Sequence, residues 1–104
     1  MTDLEIMRAA RALITPPGSW TQGEYARDSN GLSVSLLSER VKCFCALGSI
    51  KYTANSFFAN VTAFRDHIYN KYGVNIHCWN DHPDRTHAEV LAEFDELIAK
   101  LEAA

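Results

Sequence analysis

The run Cys78-Trp79-Asn80-Asp81-His82-Pro83-Asp84-Arg85 gathers a thiol, an amide, two carboxylates, an imidazole and a guanidinium within eight residues. Three uses of that chemistry compete. Cys78, His82 and Asp81 are the residue types of a nucleophile, a base and an orienting group, which nucleophilic catalysis needs within hydrogen-bond reach of one another. Asn80, Asp81, His82 and Arg85 are equally the types of a recognition loop, with Arg27 and Asp28 as candidate neighbours on the same surface. The third use is structural. Asn80 and Asp81 suit a turn because each hydrogen-bonds backbone just ahead of it, and Pro83 biases His82 away from helix. Trp79 would then plug the core while the loop is tied down. The structural use is favoured over recognition, and no nucleophile motif accompanies Cys78. His77, its neighbour, would point to the opposite face on an extended segment.

Cys43, Cys45, His77, Cys78, His82 and His87 raise a zinc question. Structural zinc sites use ligand pairs with spacers of two to four residues. Cys43 and Cys45 have one residue between them, and on a helix their thiols would stand about 200° apart. His82 and His87 near the last helix's start would face the positive end of its dipole. No metal, no cofactor and no catalytic residue is expected.

The elements that must hold this loop are legible at the two ends of the chain. Val90, Leu91, Phe94, Leu97, Ile98 and Leu101 recur at helical spacing, and Thr86-His87-Ala88-Glu89 is a capping box. Thr2 or Asp3 caps a first helix to about Ile14, stopped by Pro16-Pro17-Gly18. Gln22 to Val34 reads as a β-hairpin. A two-residue Asn30-Gly31 turn would set Ser29 opposite Leu32 and Arg27 opposite Val34. Ser35 or Ser38 is expected to cap a second helix reaching Thr53, in which Gly48 marks close packing against another element, with an indole ring as the candidate neighbour. Asn55 or Ser56 would cap a third, with Phe57, Val61, Phe64, Ile68 and Tyr72 on its buried side and Gly73 at its end. Val74 to Cys78 reads as extended. Trp20 and Trp79 are expected to be core anchors.

Trp20-Thr21-Gln22-Gly23, Ala26-Arg27-Asp28 with Gly31, Cys45-Ala46-Leu47-Gly48, Trp79-Asn80-Asp81, and Thr86 with Glu89-Val90-Leu91 form a spaced set. The set resembles a family of short bacterial and phage proteins of unknown function, in order from about Leu4 to the last helix. The resemblance implies no activity, cofactor or catalytic residue. Cys43, Cys78 and most histidines fall outside its pattern, which counts against a shared metal site.

At 104 residues the chain suits one domain with a modest core, spanning residues 1–104. Its 47% hydrophobic and 22% charged content is that of a folded protein. A net charge of −3 without Lys/Arg clusters argues against nonspecific nucleic-acid binding. No apolar run approaches the roughly 18 residues of a membrane span, and Arg8 and Arg11 interrupt any leader-like segment, so a cytosolic location is expected. The expected fold is α+β and mainly α: about four helices, with one small hairpin between the first and second. The expected function is a noncatalytic protein-binding or adaptor module whose partner is another protein. The alternatives are a small enzyme or ligand-binding domain using Cys78, Asp81 and His82, and, more weakly, a nucleic-acid accessory protein. The oligomeric state stays open.

Overall fold

The computed structural model describes residues 1–56 and 61–104. Its elements run α1 (Asp3–Leu13), β1 (Ala26–Arg27), β2 (Cys43–Phe44), α2 (Ala46–Thr53), α3 (Thr62–Tyr72), α4 (Ile76–Asn80) and α5 (His87–Ala103). The architecture is α+β and mainly helical. One small antiparallel pair lies between α1 and α2, in the register Ala26 to Phe44 and Arg27 to Cys43.

The capping box expected at Thr86 forms, and the Thr2 cap expected for α1 proves to be a capping box as well. Thr2 Oγ1 accepts the Glu5 N–H at 3.1 Å while the Glu5 carboxylate takes the Thr2 N–H at 2.8 Å. Thr86 and Glu89 repeat the exchange at 3.2 and 2.9 Å. Each box satisfies two donors that a helix start leaves without partners. The helices bury one face apiece: Met7, Ala10 and Ile14 from the α1 end, and Val90, Phe94 and Leu97 from α5. α1 packs on α2 and α5, and α3 on α4 and α5. The Phe64 ring stands nearly perpendicular to that of Trp79 at 6.1 Å and meets Phe94 at 4.7 Å, which puts the aromatic centre of the core against α4.

The middle of the chain departs from the sequence expectation in four places. The second helix begins at Ala46, because Ser35 and Ser38 turn their hydroxyls to the N–H groups of Leu37 and Arg40 and close local turns instead. Cys43 and Phe44 are then free to pair with β1, and the Cys45 thiol serves as the α2 cap, accepting the Gly48 N–H at 3.2 Å. In the hairpin tip, the Asp28 carboxylate takes the N–H groups of Asn30 and Leu32 at 2.9 and 3.0 Å. That Asx turn outcompetes the two-residue turn and makes a three-residue loop with Gly31 left-handed at φ +81°. Arg27 therefore faces Ser33, not Val34.

Asn55 ends α2 rather than starting α3. It is left-handed at φ 55°, with its N–H on the Tyr52 carbonyl and the Ser56 N–H on the Lys51 carbonyl, the paired bonds of a Schellman end. α3 starts after Val61 with no side-chain cap and ends at Gly73 as expected. Phe57 lies outside the described residues. The segment expected to be extended, Val74 to Cys78, instead coils into α4 because Asn75 caps it, accepting the Cys78 N–H at 2.9 Å. Among the described residues no helix is long and apolar enough to cross a membrane.

Candidate functional site

Asn80 is the last residue of α4 and is 0% exposed. Its side-chain oxygen accepts the Trp20 indole N–H at 2.7 Å and the Ala46 backbone N–H at 3.0 Å. Its amide nitrogen donates to the Thr21 carbonyl at 3.1 Å and to Asp81 Oδ1 at 2.9 Å. Two acceptances and two donations exhaust a primary amide. The Asn80 carbonyl in turn accepts Gln22 Nε2 at 2.9 Å, and that same nitrogen reaches the His82 carbonyl at 2.8 Å. Asp81 Oδ1 also takes the Gly23 N–H at 2.9 Å. One buried amide thus ties the Trp20–Gly23 segment to α4 and to the start of α2. Three of the stretches singled out by spacing, Trp20–Gly23, Cys45–Gly48 and Trp79–Asp81, meet at this knot.

The sequence model of a family described as a family of unknown function (DUF6197) matches residues 1–100. The chain belongs to that family. No curated protein and no solved structure matches it.

In this DUF6197 chain the residues proposed for a site fall into two groups. Arg27, Asp28 and Asn80 are engaged internally. The Arg27 guanidinium donates to the Gln22 carbonyl at 2.9 Å and the Gly31 carbonyl at 2.9 Å, and Asp28 is 8% exposed beneath its own turn. Arg85 donates to the Trp79 carbonyl at 3.0 Å, and its guanidinium lies 5.0 Å from the Trp79 ring and 4.9 Å from the Tyr72 ring. Asp81 and His82 are exposed, and His82 Nδ1 accepts the Asp84 N–H at 3.1 Å. Cys78 does not join them in a hydrogen bond. Its sulfur stands 3.7 Å from His77 Nε2, because the helical turn of α4 brings these sequence neighbours closer than an extended segment would. Trp79 is buried, whereas Trp20 is only partly so and stacks on His87 at 5.8 Å. His87 Nε2 in turn meets the Ile14 carbonyl.

Cys43 and Cys45 stand on extended backbone, not on a helix. Burial pushes the Cys45 thiol up to about 11 against the opposing Gly48 N–H, so it stays protonated and inert as a nucleophile near neutral pH. The close approach at Gly48 is to the Tyr25 backbone rather than to an indole. A Cβ there would lie 2.1 Å from the Tyr25 carbonyl oxygen.

A second polar cluster went unnoticed in the sequence because its members come from two helices and look individually like solvated charges. His67 on α3 and Glu93 on α5 are both buried, with Nε2 and Oε1 2.9 Å apart. Lys71 bridges Glu93 Oε2 and Glu96 Oε2 at 2.8 Å each, and the Tyr72 hydroxyl donates to Glu93 at 2.5 Å. Lys100 Nζ lies 3.1 Å from His67 Nδ1. An ammonium only donates, so Nδ1 accepts and Nε2–H donates to Glu93. Burial alone would push the Glu93 carboxyl up. Hydrogen bonds from Lys71, Tyr72 and His67 overcome that and hold it at about 2. One ligand atom from each of His67, Glu93 and Glu96 lies within 4.8 Å of the others, a set that would suit a transition-metal cation, but the Lys71 ammonium already supplies positive charge between the two carboxylates.

Among the described residues, shallow hollows border α2 and its N-terminal cap. One of about 630 Å³ is bordered by Leu36, Leu37, Glu39, Lys51 and Tyr52. One of about 170 Å³ involves Leu47, Lys51, Arg65, Asn75 and His77. One of about 230 Å³ is lined by Gly23, Glu24, Tyr25, Cys45, His77 and Asp81.

Proposed function

We propose that this chain is a noncatalytic protein-binding or adaptor module of the cytosol, and that it meets its partner on the outer side of α2 with the flanking 23–25 and 36–39 segments. The continuity of the three hollows carries this reading. The first and second share Lys51, and the second and third share His77. Along them stand Tyr25 at 42%, Tyr52 at 47% and Leu37 at 77% exposure. A single exposed leucine is ordinary, but tyrosines beside adjoining hollows have the composition of an interface core. Asp81 belongs to this face through the hollow it lines, so part of the loop expected to recognise a partner contributes to it. Arg27, Asp28 and Asn80 support the face from behind.

The test is site-specific photo-crosslinking in the native host. A benzophenone amino acid in place of Tyr52 is expected to yield a discrete protein adduct identifiable by mass spectrometry. The same group at Ala99, on the exposed side of α5, is expected to give none. Adducts from position 99 alone, or none from position 52, would overturn the reading.

A further inference from the structure

We propose that the hollow between Gly23–Tyr25 and the start of α4 receives an arginine side chain of the protein partner, an inference that rests on the α2-face reading above. At about 230 Å³ the hollow is smaller than the roughly 300–1,000 Å³ of sites for drug-sized ligands, and it suits one inserted side chain. Its walls carry two carboxylates, each anchored through one oxygen. Asp81 Oδ1 holds the Gly23 N–H and the Asn80 amide, both at 2.9 Å, while Glu24 Oε2 accepts the Ser33 hydroxyl at 3.0 Å. Among the described residues the other oxygen of each receives no hydrogen bond. Each carboxylate is thus held through one oxygen and keeps the acceptor capacity of the other for an incoming donor.

Two aromatic residues, Tyr25 and His77, line the hollow together with Gly23 and Cys45. A planar guanidinium has donors for two carboxylates and a face that stacks on aromatic rings, a combination that an ammonium lacks. The nearby cations are otherwise engaged. Arg27 donates to Gln22, Thr21 and Gly31, and the Lys51 ammonium lies 5.8 Å from the Tyr25 ring centroid. The Tyr25 ring thus already shows its capacity to face a cation.

The test uses the intact chain, ¹⁵N-labelled and titrated with N-acetyl-arginine methylamide. N-acetyl-citrulline methylamide, nearly the same shape without the charge, is the control. Saturable amide shifts are expected at Gly23, Glu24, Tyr25, His77 and Asp81, in the millimolar range, with citrulline weaker by on the order of ten-fold or more. Glu24→Gln, whose position is exposed and outside the Asn80 knot, is expected to weaken arginine binding several-fold with the rest of the spectrum unchanged. Absence of saturable shifts, equal shifts from citrulline, or undiminished binding by Glu24→Gln would each overturn the proposal. A failed titration with the Tyr52 adduct intact removes the arginine pocket and leaves the α2 face. Loss of the adduct removes the face itself.

Discussion

Asn80 shows how one amide can govern three segments. Its replacement by alanine leaves the Trp20 indole N–H, the Ala46 N–H and the Thr21 carbonyl without their partner at once. Each orphaned buried group costs about 1–3 kcal/mol, and the Trp20 edge has partial access to water, so Asn80→Ala is expected to destabilise by about 3 kcal/mol. Urea unfolding measures it, and a variant within about 0.5 kcal/mol of the parent would show the knot to be dispensable. Asp81→Asn is a milder change. An amide oxygen still accepts the Gly23 N–H and the Asn80 amide, so only the charge-assisted part of those bonds is lost, about 1 kcal/mol. The importance of this place was legible in the sequence, because a large aromatic followed by two short polar side chains marks a pinned turn. The identity of the pinned partners was not. Trp20, Gln22 and Gly23 are about sixty residues away, and no local pattern encodes a pairing across that distance.

At the scale of elements, legibility followed the strength of local signals. The starts of α1 and α5 were readable because N-caps are short-range signals, a lone threonine or aspartate cap at Thr2 or Asp3 and a two-residue capping box at Thr86 and Glu89. The start of α2 was not, because serines upstream satisfied their own turns and a cysteine took the cap. α4 was missed for a related reason: one asparagine cap turned an apparently extended run into a helical turn. Gly48 was legible as a close approach, though its partner proved to be backbone. A methyl group there would sit 2.1 Å from the Tyr25 oxygen, which also accepts the Cys45 N–H, so α2 and the 23–27 segment must move apart to admit it. Alanine gains up to about 1 kcal/mol of helix propensity over glycine. Overpacking against backbone costs about 1–3 kcal/mol or more, so the clash wins. Gly48→Ala is expected to lower the melting temperature and perturb the Tyr25 and Cys45 amide resonances. A gain in melting temperature would show that the segments separate freely.

For the molecule as a whole, the buried charge between α3 and α5 couples packing to pH. Glu93 is ionised among Lys71, Tyr72 and His67, with Glu96 and Lys100 completing the cluster. Its carboxyl falls from an ordinary 4.5 to about 2 in the fold. A depressed carboxylate stabilises the folded state fully above its unfolded value, and that contribution is lost as pH falls through the folded value. The exposed capping residues Glu5 and Glu89 are also lowered, by hydrogen bonds to Thr2 and Thr86, so they add to the same acid limb. Glu93→Gln separates the contributions. The amide keeps one acceptor but loses the charge that Lys71 and His67 face, so the variant is expected to be less stable than the parent at neutral pH. The difference between the two should stay level above pH 4.5 and shrink as pH drops toward about 2, where the parent's Glu93 also becomes neutral. Glu5 and Glu89 are present in both proteins and cancel in that difference. Urea midpoints measured across this range decide the matter. A gap that remains constant down to pH 2 would mean that Glu93 matters through its shape and hydrogen bonds, and that its charge contributes nothing to holding α3 against α5.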